Sequence, residues 1–312
     1  MKRVLVTGAE GFCGRYLCDY LTAQKYQVFG AYHHDKVPGV PYSQVQLDIT
    51  NPSQVDRTIQ KIRPDFICHL AAQSNARLSW QKKDLTFSIN ILGTLNIAKA
   101  VLRHAPKARL LYTSSVQVYG RTLRAGKPVN EKGILWPENP YAVSKALSEF
   151  SCLELCRHSG LDIVIIRANN LFGPGQTSDF VFGDWCRQIA EAEKKLRPPQ
   201  VVVGNLRLQR DFLPVEDGVK AYALLLKKGR KGEIYNLSGG KGKPLQRHLE
   251  YLISRSKIPL KVVVDKKRFR QDDPLSVSIQ SAKLQKLGWD LSHRMNYHLD
   301  QVLDEWRRKI KK

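Results

Sequence analysis

Residues 4–14 read Val-Leu-Val-Thr-Gly-Ala-Glu-Gly-Phe-Cys-Gly, and few folds accept such a start. Val4–Val6 suits a short buried strand. Glycines at 8, 11 and 14 then let the backbone turn tightly and approach whatever lies beyond the strand. Residues 12–23 follow at helical spacing, with Phe12, Tyr16, Leu17 and Leu21 apolar. The same alternation continues. Strands are expected at Val28–Tyr32, Val45–Leu47, Phe66–Leu70, Leu110–Ser114 and Asp162–Arg167, with helices starting at Asn51-Pro52 and covering Leu85–Leu102. Strands separated by helices predict an α/β fold with a doubly wound parallel sheet.

After about residue 170 the pattern loosens. The Gly- and Pro-rich run 172–176 precedes a helix near 180–194, short strands near 201–203 and 261–264, and a helix near 215–228. The basic tail Trp306–Lys312 reads as a frayed helix end. The expected division is 1–170 for the first lobe, with later segments returning to it, and 171–312 for a smaller second lobe packed on the first. Six cysteines form no Cys-x-x-Cys pair and no His cluster accompanies them, so a metal site is not expected. Cys152 and Cys156 share a helix face and suit core packing. No uninterrupted apolar run reaches ~18 residues, so no membrane span is expected. The apolar start is too short for a signal peptide, which predicts a cytoplasmic protein.

The net charge is +23. Lys and Arg outnumber acids by 23 to 14 in residues 1–190 and by 28 to 14 in residues 191–312. Such a field attracts polyanions and suits a nucleotide diphosphate. No RNA-binding motif accompanies it, so a nucleic acid partner is not expected.

Three local patterns carry chemistry. The glycine turn at 8–14, between the first strand and helix, is built to take a pyrophosphate at a helix N-terminus. About 20 residues on, an acid would bind a free ribose 2′-hydroxyl; this chain has His33-His34, which leans towards NADP(H) while leaving NAD(H) open. Tyr141 and Lys145 lie four apart on one helix face. A lysine charge ~4 Å from the phenol is worth about 4 kcal/mol at an effective dielectric of ~20, enough to draw it towards neutral pH. Ser115 closes the fifth strand at the carboxyl edge of the sheet, where such folds bind ligands, and is placed to share a substrate oxygen with Tyr141.

Taken in order, TGxxGxxG, LDIT (47–50), HLAAQS (69–74), NxxGT (90–94), SSVQVYG (114–120), NPYAVSK (139–145) and RxxNxxGPG (167–175) resemble the extended short-chain dehydrogenase/reductase family along nearly the whole chain. The resemblance implies a Rossmann lobe for a dinucleotide and a C-terminal lobe for a nucleoside-diphosphate sugar. It implies catalysis by Ser115, Tyr141 and Lys145. Cofactor contacts would come from Gly8, Gly11, Phe12, Gly14, His33, Asp48, Ile49, Leu70, Ala71 and Ala72, besides Tyr141 and Lys145. Substrate contacts would come from Gln73, Ser115, Gln117, Asn170, Arg210 and Arg270. Asn90 would sit near the catalytic group, or serve only as a loop hydrogen-bonder.

The segments LAAQSNARLSW (70–80), FGPGQTSDFV (172–181) and VGNLRLQRDFLPVED (203–217) are most similar to the branch of that family that reduces GDP-linked 4-keto-6-deoxymannose, and to the neighbouring GDP-mannose 4,6-dehydratases. The implied reaction forms GDP-D-rhamnose. Dehydratases of this kind carry a Glu two residues before the Tyr of the xYG segment; here Gln117 stands there, ahead of Tyr119. Gln cannot ionise and cannot shuttle a proton, which argues against a dehydratase. A 4-epimerase on the same frame is the alternative. A non-enzymatic NADP(H)-binding regulator or RNA binder is the rival of another class, and the retained Tyr141–Lys145 pair speaks against it. A homodimer through the Leu85–Leu102 helix and the helix starting at Tyr141 is expected from their apolar faces and from the resemblance.

Overall fold

The computed structural model describes residues 1–240, 242–269, 275–292 and 294–311. The first lobe opens with β1 (Arg3–Thr7), α1 (Phe12–Ala23), β2 (Gln27–Tyr32), β3 (Ser43–Gln46), α2 (Pro52–Ile62) and β4 (Phe66–His69). Asn51 caps α2, its side chain accepting from the Gln54 amide, and Pro52 fills the first turn, where no N–H is needed. Next come α3 (Ala76–Gln81), α4 (Lys83–Phe87), a π-helical turn (Ser88–Leu92), α5 (Gly93–His104) and β5 (Arg109–Ser115). A 3-10 segment (Val116–Ala125), α6 (Pro140–His158) and β6 (Asp162–Ala168) complete this half.

The second half holds β7 (Asn170–Phe172), α7 (Val181–Glu193), β8 (Gln200–Val203), β9 (Gln209–Arg210), β10 (Phe212–Pro214), α8 (Val215–Lys228) and β11 (Ile234–Leu237). It ends with β12 (Lys243–Pro244), α9 (Leu245–Ser254), β13 (Lys261–Val264), α10 (Ala282–Gln285) and α11 (Met295–Lys309).

The main sheet runs β11-β6-β5-β4-β1-β2-β3, with every neighbouring pair parallel. The order reverses between β1 and β4, so their carboxyl ends frame the crevice where doubly wound folds take ligands. One buried layer, with Leu17, Leu21, Val219 and Leu225, covers one face of the sheet; Val55, Ile59, Ile97, Val101 and Cys152 cover the other. A separate core of Phe172, Phe182, Trp185, Leu249 and Leu299 holds the second lobe together.

The later segments that return to the first lobe are α8 and β11: α8 packs beside α1, and β11 extends the sheet beyond β6. The tail is not frayed, because α11 lies along α7 and Arg307 pairs with the carboxylate of Glu193 at 2.7 Å. Residues 83–104 form a continuous helical stretch whose most apolar 18-residue window has a mean hydropathy of 1.4, long and apolar enough to cross a membrane, although Asn90, Asn96 and Lys99 within it keep the unbroken apolar run short. Its inner side, with Asn90, Thr94, Ile97 and Val101, is buried against α2 and α6. That is the pattern of a core helix. All six cysteines are free thiols, five of them buried.

Candidate active site

At the end of β1 the backbone turns at Gly8 with φ +71°. A Cβ there would lie 2.9 Å from the Ala71 nitrogen, and one on Gly14 would fall 2.0 Å from the Gly8 carbonyl oxygen. Only glycine lets this turn press on the β4 loop and on its own helix. Gly11 caps α1 with no side-chain hydrogen bond, and no acid stands in the first turn. The N–H groups of that turn are therefore available to an anion, and the helix dipole favours one. This cradle fits a dinucleotide pyrophosphate. Phe12 stacks edge-on with Tyr16, whose hydroxyl donates to the Pro174 carbonyl at 2.9 Å, so the 172–176 loop is tied to α1 beside the glycine turn.

A buried relay supports the crevice. The Ala71 N–H donates to Thr7 Oγ1 (3.1 Å), which lies 2.7 Å from His69 Nδ1. His69 Nε2 meets Thr94 Oγ1 at 3.0 Å, and Thr94 donates to the Asn90 carbonyl at 2.6 Å. The Thr94 proton is thus committed to Asn90, which places the histidine proton on Nε2 and leaves Nδ1 to accept from the Thr7 hydroxyl. Burial, and then the charge of Lys145, push the His69 pKa down to about 3. A neutral folded histidine stabilises the protein fully above its unfolded pKa of ~6.5, and this contribution is lost as pH falls towards 3. His248, held down to about 4 by burial and the charges of Lys243 and Arg247, acts in the same window. Melting temperature should therefore fall steeply below pH 6, and His69→Gln should flatten part of that fall. Parallel acid limbs for both proteins would refute the assignment.

The relay ends at Asn90, which lies in the π-helical turn rather than in a loop. Its Oδ1 accepts from the Gln73 N–H (2.8 Å), and its Nδ2 donates to the Gln73 carbonyl (3.1 Å) and to Ser144 Oγ (2.8 Å). The turn aims this side chain across to α6, a common use of such bulges. Asn90 therefore joins the β4 loop to the helix that carries Tyr141 and Lys145.

Asn139 caps α6 through its side chain, accepting from Ala142 N at 2.8 Å, and Ser79 Oγ accepts from the Tyr141 N–H at 3.1 Å. The phenol of Tyr141 is buried. Burial pushes its pKa up to about 12, against the opposing pull of a hydrogen bond with Ser115. This is opposite to the lowering expected from a nearby lysine. The Lys145 ammonium instead donates to the Thr113 carbonyl at 2.8 Å and lies 5.1 Å from the centre of the Tyr112 ring. Burial lowers it to about 8. At neutral pH the site thus holds a protonated phenol, a mostly charged lysine and a serine hydroxyl at one sheet edge.

Of the other predicted contacts, Ser115 and Gln117 adjoin this group. Ser115 Oγ accepts from the Gln117 N–H at 3.2 Å, and Gln117 Oε1 accepts from Asn139 Nδ2 at 3.3 Å. Leu70, Ala71 and Ala72 line the loop after β4, half-buried beside Gly8. Ile49 packs its side chain where a Cβ on Gly93 would be. Asp48 binds Thr50 through Oδ1 and lies 4.0 Å from His33 Nε2. Burial alone would raise its carboxyl, but the Thr50 hydrogen bonds and His33 outweigh that and hold it low.

Gln73 turns inward. Its Nε2 donates to Thr86 Oγ1 at 3.0 Å, and its Oε1 accepts from Asn75 N at 2.5 Å, so its side chain organises the loop. Asn170 is exposed on β7, with its Nδ2 3.2 Å from Asn169 Oδ1. Arg210 is half-buried on β9, donating to the Gln209 carbonyl at 2.9 Å. Arg270, and Asp273 with it, lie outside the described residues.

Two groups escaped the sequence reading. Asp211, buried next to Arg210, accepts from Asn169 (3.0 Å), Ser238 Oγ (2.5 Å) and Gly239 N (2.7 Å), which fastens β7, β10 and the end of β11 together. Arg167, buried under Ser114, pairs with Glu149 at 2.6 Å and donates to Tyr119 OH at 2.8 Å.

Residues 4–238 match the profile of the NAD dependent epimerase/dehydratase family. The chain is 32% identical over 311 residues to GDP-6-deoxy-D-mannose reductase of Pseudomonas aeruginosa, with 99% of each covered. It is 28% identical to GDP-6-deoxy-D-talose 4-dehydrogenase of Aggregatibacter actinomycetemcomitans, with 92% of each covered. Among solved structures, RMD from Pseudomonas aeruginosa complexed with NADPH superposes with a TM-score of 0.84 at 30% identity, covering 98% of this chain and 100% of that one.

Proposed function

The chain belongs to the NAD dependent epimerase/dehydratase family, and we propose that it is the reductase of a GDP-linked 4-keto-6-deoxy sugar, forming GDP-D-rhamnose from GDP-4-keto-6-deoxy-D-mannose. Members of this family are short-chain dehydrogenase/reductase-type oxidoreductases acting on sugar nucleotides, and they use NADPH or NAD. The observation that carries the narrower reading is Gln117. It stands beside a complete Ser115–Tyr141–Lys145 group, hydrogen-bonded to Asn139, where a dehydratase needs an ionisable acid. The full-length similarity to GDP-6-deoxy-D-mannose reductase supports the GDP sugar.

The glycine turn and the first turn of α1 would hold the pyrophosphate of the dinucleotide, with Ile49, Ala71 and Ala72 along its path. Bound there, the reduced dinucleotide supplies a hydride. Ser115 orients the keto oxygen by hydrogen bonding. Tyr141 gives its proton to the alkoxide that forms on that oxygen; its raised pKa keeps it loaded as a donor throughout the neutral range. Lys145, one helical turn on from Tyr141 and fixed by its bond to the Thr113 carbonyl, would hold the nicotinamide ribose and bring positive charge to the same sheet edge. Asn170, Arg210 and Arg270 would take the sugar nucleotide, the arginines suiting its diphosphate.

The test is direct. Protein supplied with NADPH should oxidise it on addition of GDP-4-keto-6-deoxy-D-mannose, faster than with dTDP- or UDP-linked 4-keto sugars. GDP-mannose alone should yield no 4-keto-6-deoxy product. Dehydration of GDP-mannose at an ordinary rate would overturn the reading.

A cytoplasmic homodimer completes the proposal. Leu85 and Leu92 on the 83–104 stretch and Leu147 and Phe150 on α6 are apolar yet exposed, Leu92 by 55% and Phe150 by 56%. These two helical stretches pack against each other, so their exposed sides form one face that a second copy would cover. Light scattering at micromolar concentration should give twice the monomer mass, and Phe150→Glu with Leu92→Glu should give the monomer. A wild-type monomer would exclude this assembly.

A further inference from the structure

At the tip of β2 the chain has His33 and His34 where an acid would meet the adenosine ribose of a dinucleotide. A carboxylate nevertheless reaches that tip from another element. Glu10 lies inside the glycine turn, and its Oε1 accepts from the His33 N–H at 2.8 Å, on the residue that follows β2. Its other oxygen, Oε2, is shielded from solvent and has no hydrogen-bond partner among the described residues. A shielded carboxylate oxygen without a donor is costly, and a ribose 2′-hydroxyl is a donor that would relieve it. A 2′-phosphate offers acceptors and negative charge, the wrong chemistry for that oxygen.

Opposing groups meet at the same point. Arg15 on α1 is exposed, with its Nε donating to the Glu10 carbonyl at 2.9 Å. His33 Nδ1 lies 3.0 Å from His34 Nε2, and Asp48 faces His33 from the loop after β3. The guanidinium, and the imidazoles when protonated, attract a 2′-phosphate, while Glu10 and Asp48 repel it.

We infer that Glu10 sets the balance between NADH and NADPH, admitting NADH by accepting from its 2′-hydroxyl and holding down the advantage that Arg15 and the histidines give to NADPH. The inference rests on the dinucleotide-binding part of the function proposed above. Its selectivity can be read without any sugar nucleotide.

Glu10→Gln keeps the Oε1 acceptor and removes the charge. Fluorescence titration with NADPH and NADH would be paired with adenosine 2′,5′-bisphosphate and AMP, which carry the discriminating half alone. The ratio of affinities should move towards the 2′-phosphorylated member of each pair by about tenfold or more in Glu10→Gln. Glu10→Ser should move it the same way, so the test does not hang on one variant folding. Arg15→Gln should move it oppositely. Unchanged ratios in either folded Glu10 variant, with ligands still bound, would overturn the inference and leave Glu10 as a tie between the glycine turn and β2. A wild-type chain that binds neither dinucleotide would overturn the proposed function and this inference together.

Discussion

Replacing Tyr141 by phenylalanine should lower the rate of 4-keto sugar reduction by about 100- to 10,000-fold, the usual worth of a positioned general acid. The ring stays and only the hydroxyl leaves. The α6 cap from Asn139 and the bond from the Tyr141 N–H to Ser79 involve backbone atoms and survive the change. NADPH should therefore bind within about twofold of wild type, and the loss should appear in kcat rather than in KM, because the proton is needed only as charge develops on oxygen. The wild-type rate should hold through neutral pH, since burial keeps the phenol protonated up to about 12. It should change near pH 8, where Lys145 gives up its charge. Single-turnover rates with titrated cofactor would separate these effects. Full activity in Tyr141→Phe would exclude this mechanism whatever the substrate.

The sequence makes the sheet readable because β1, β4 and β5 are apolar runs each followed by helical turns, and the glycine turn fixes where the first crossover begins. What it hides is mostly tertiary. β11 is only Ile-Tyr-Asn-Leu, and nothing local tells such a run to return to β6 after a long excursion. The π-helical turn at 88–92 leaves the apolar periodicity almost intact, so the outward step that aims Asn90 at Ser144 is invisible until the two helices pack. The tail reads as frayed because its charges dominate, yet Arg307 finds Glu193, 114 positions away in the chain.

The candidate site divides in the same way. Tyr141, Lys145 and Ser115 are legible as residue types at helical spacing and at a strand end. Their electrostatics are not, because helical spacing says where side chains start and burial decides what they do. Lys145 reaches a carbonyl of β5, and the Tyr141 phenol is raised by desolvation instead of lowered by charge. Glu10 shows the converse: an acid sought near the end of β2 by sequence distance is supplied by a loop that only the sheet brings alongside.

Removing Arg167 should be the most damaging single change away from the reacting groups. Its guanidinium, 3% exposed, meets both oxygens of Glu149, itself 1% exposed, and also holds Tyr119 OH and the Glu131 carbonyl. Burial disfavours its charge, but the Glu149 carboxylate more than compensates and raises its pKa. Arg167→Met fills similar volume and leaves Glu149 buried without a cation, which costs about 3–5 kcal/mol. Tyr119 would lose its donor as well, and its own bond to Asn236 ties the 3-10 segment to β11, so the floor beneath Ser114 and Ser115 would loosen. Glu149→Gln added to Arg167→Met removes the stranded charge and should restore more than half of the lost stability, because replacing both members of a buried pair is far cheaper than removing one. Thermal or denaturant unfolding of the two single variants and the double variant forms the cycle. Additive losses would mean that the two side chains act independently and that this pair is not what holds the floor of the site.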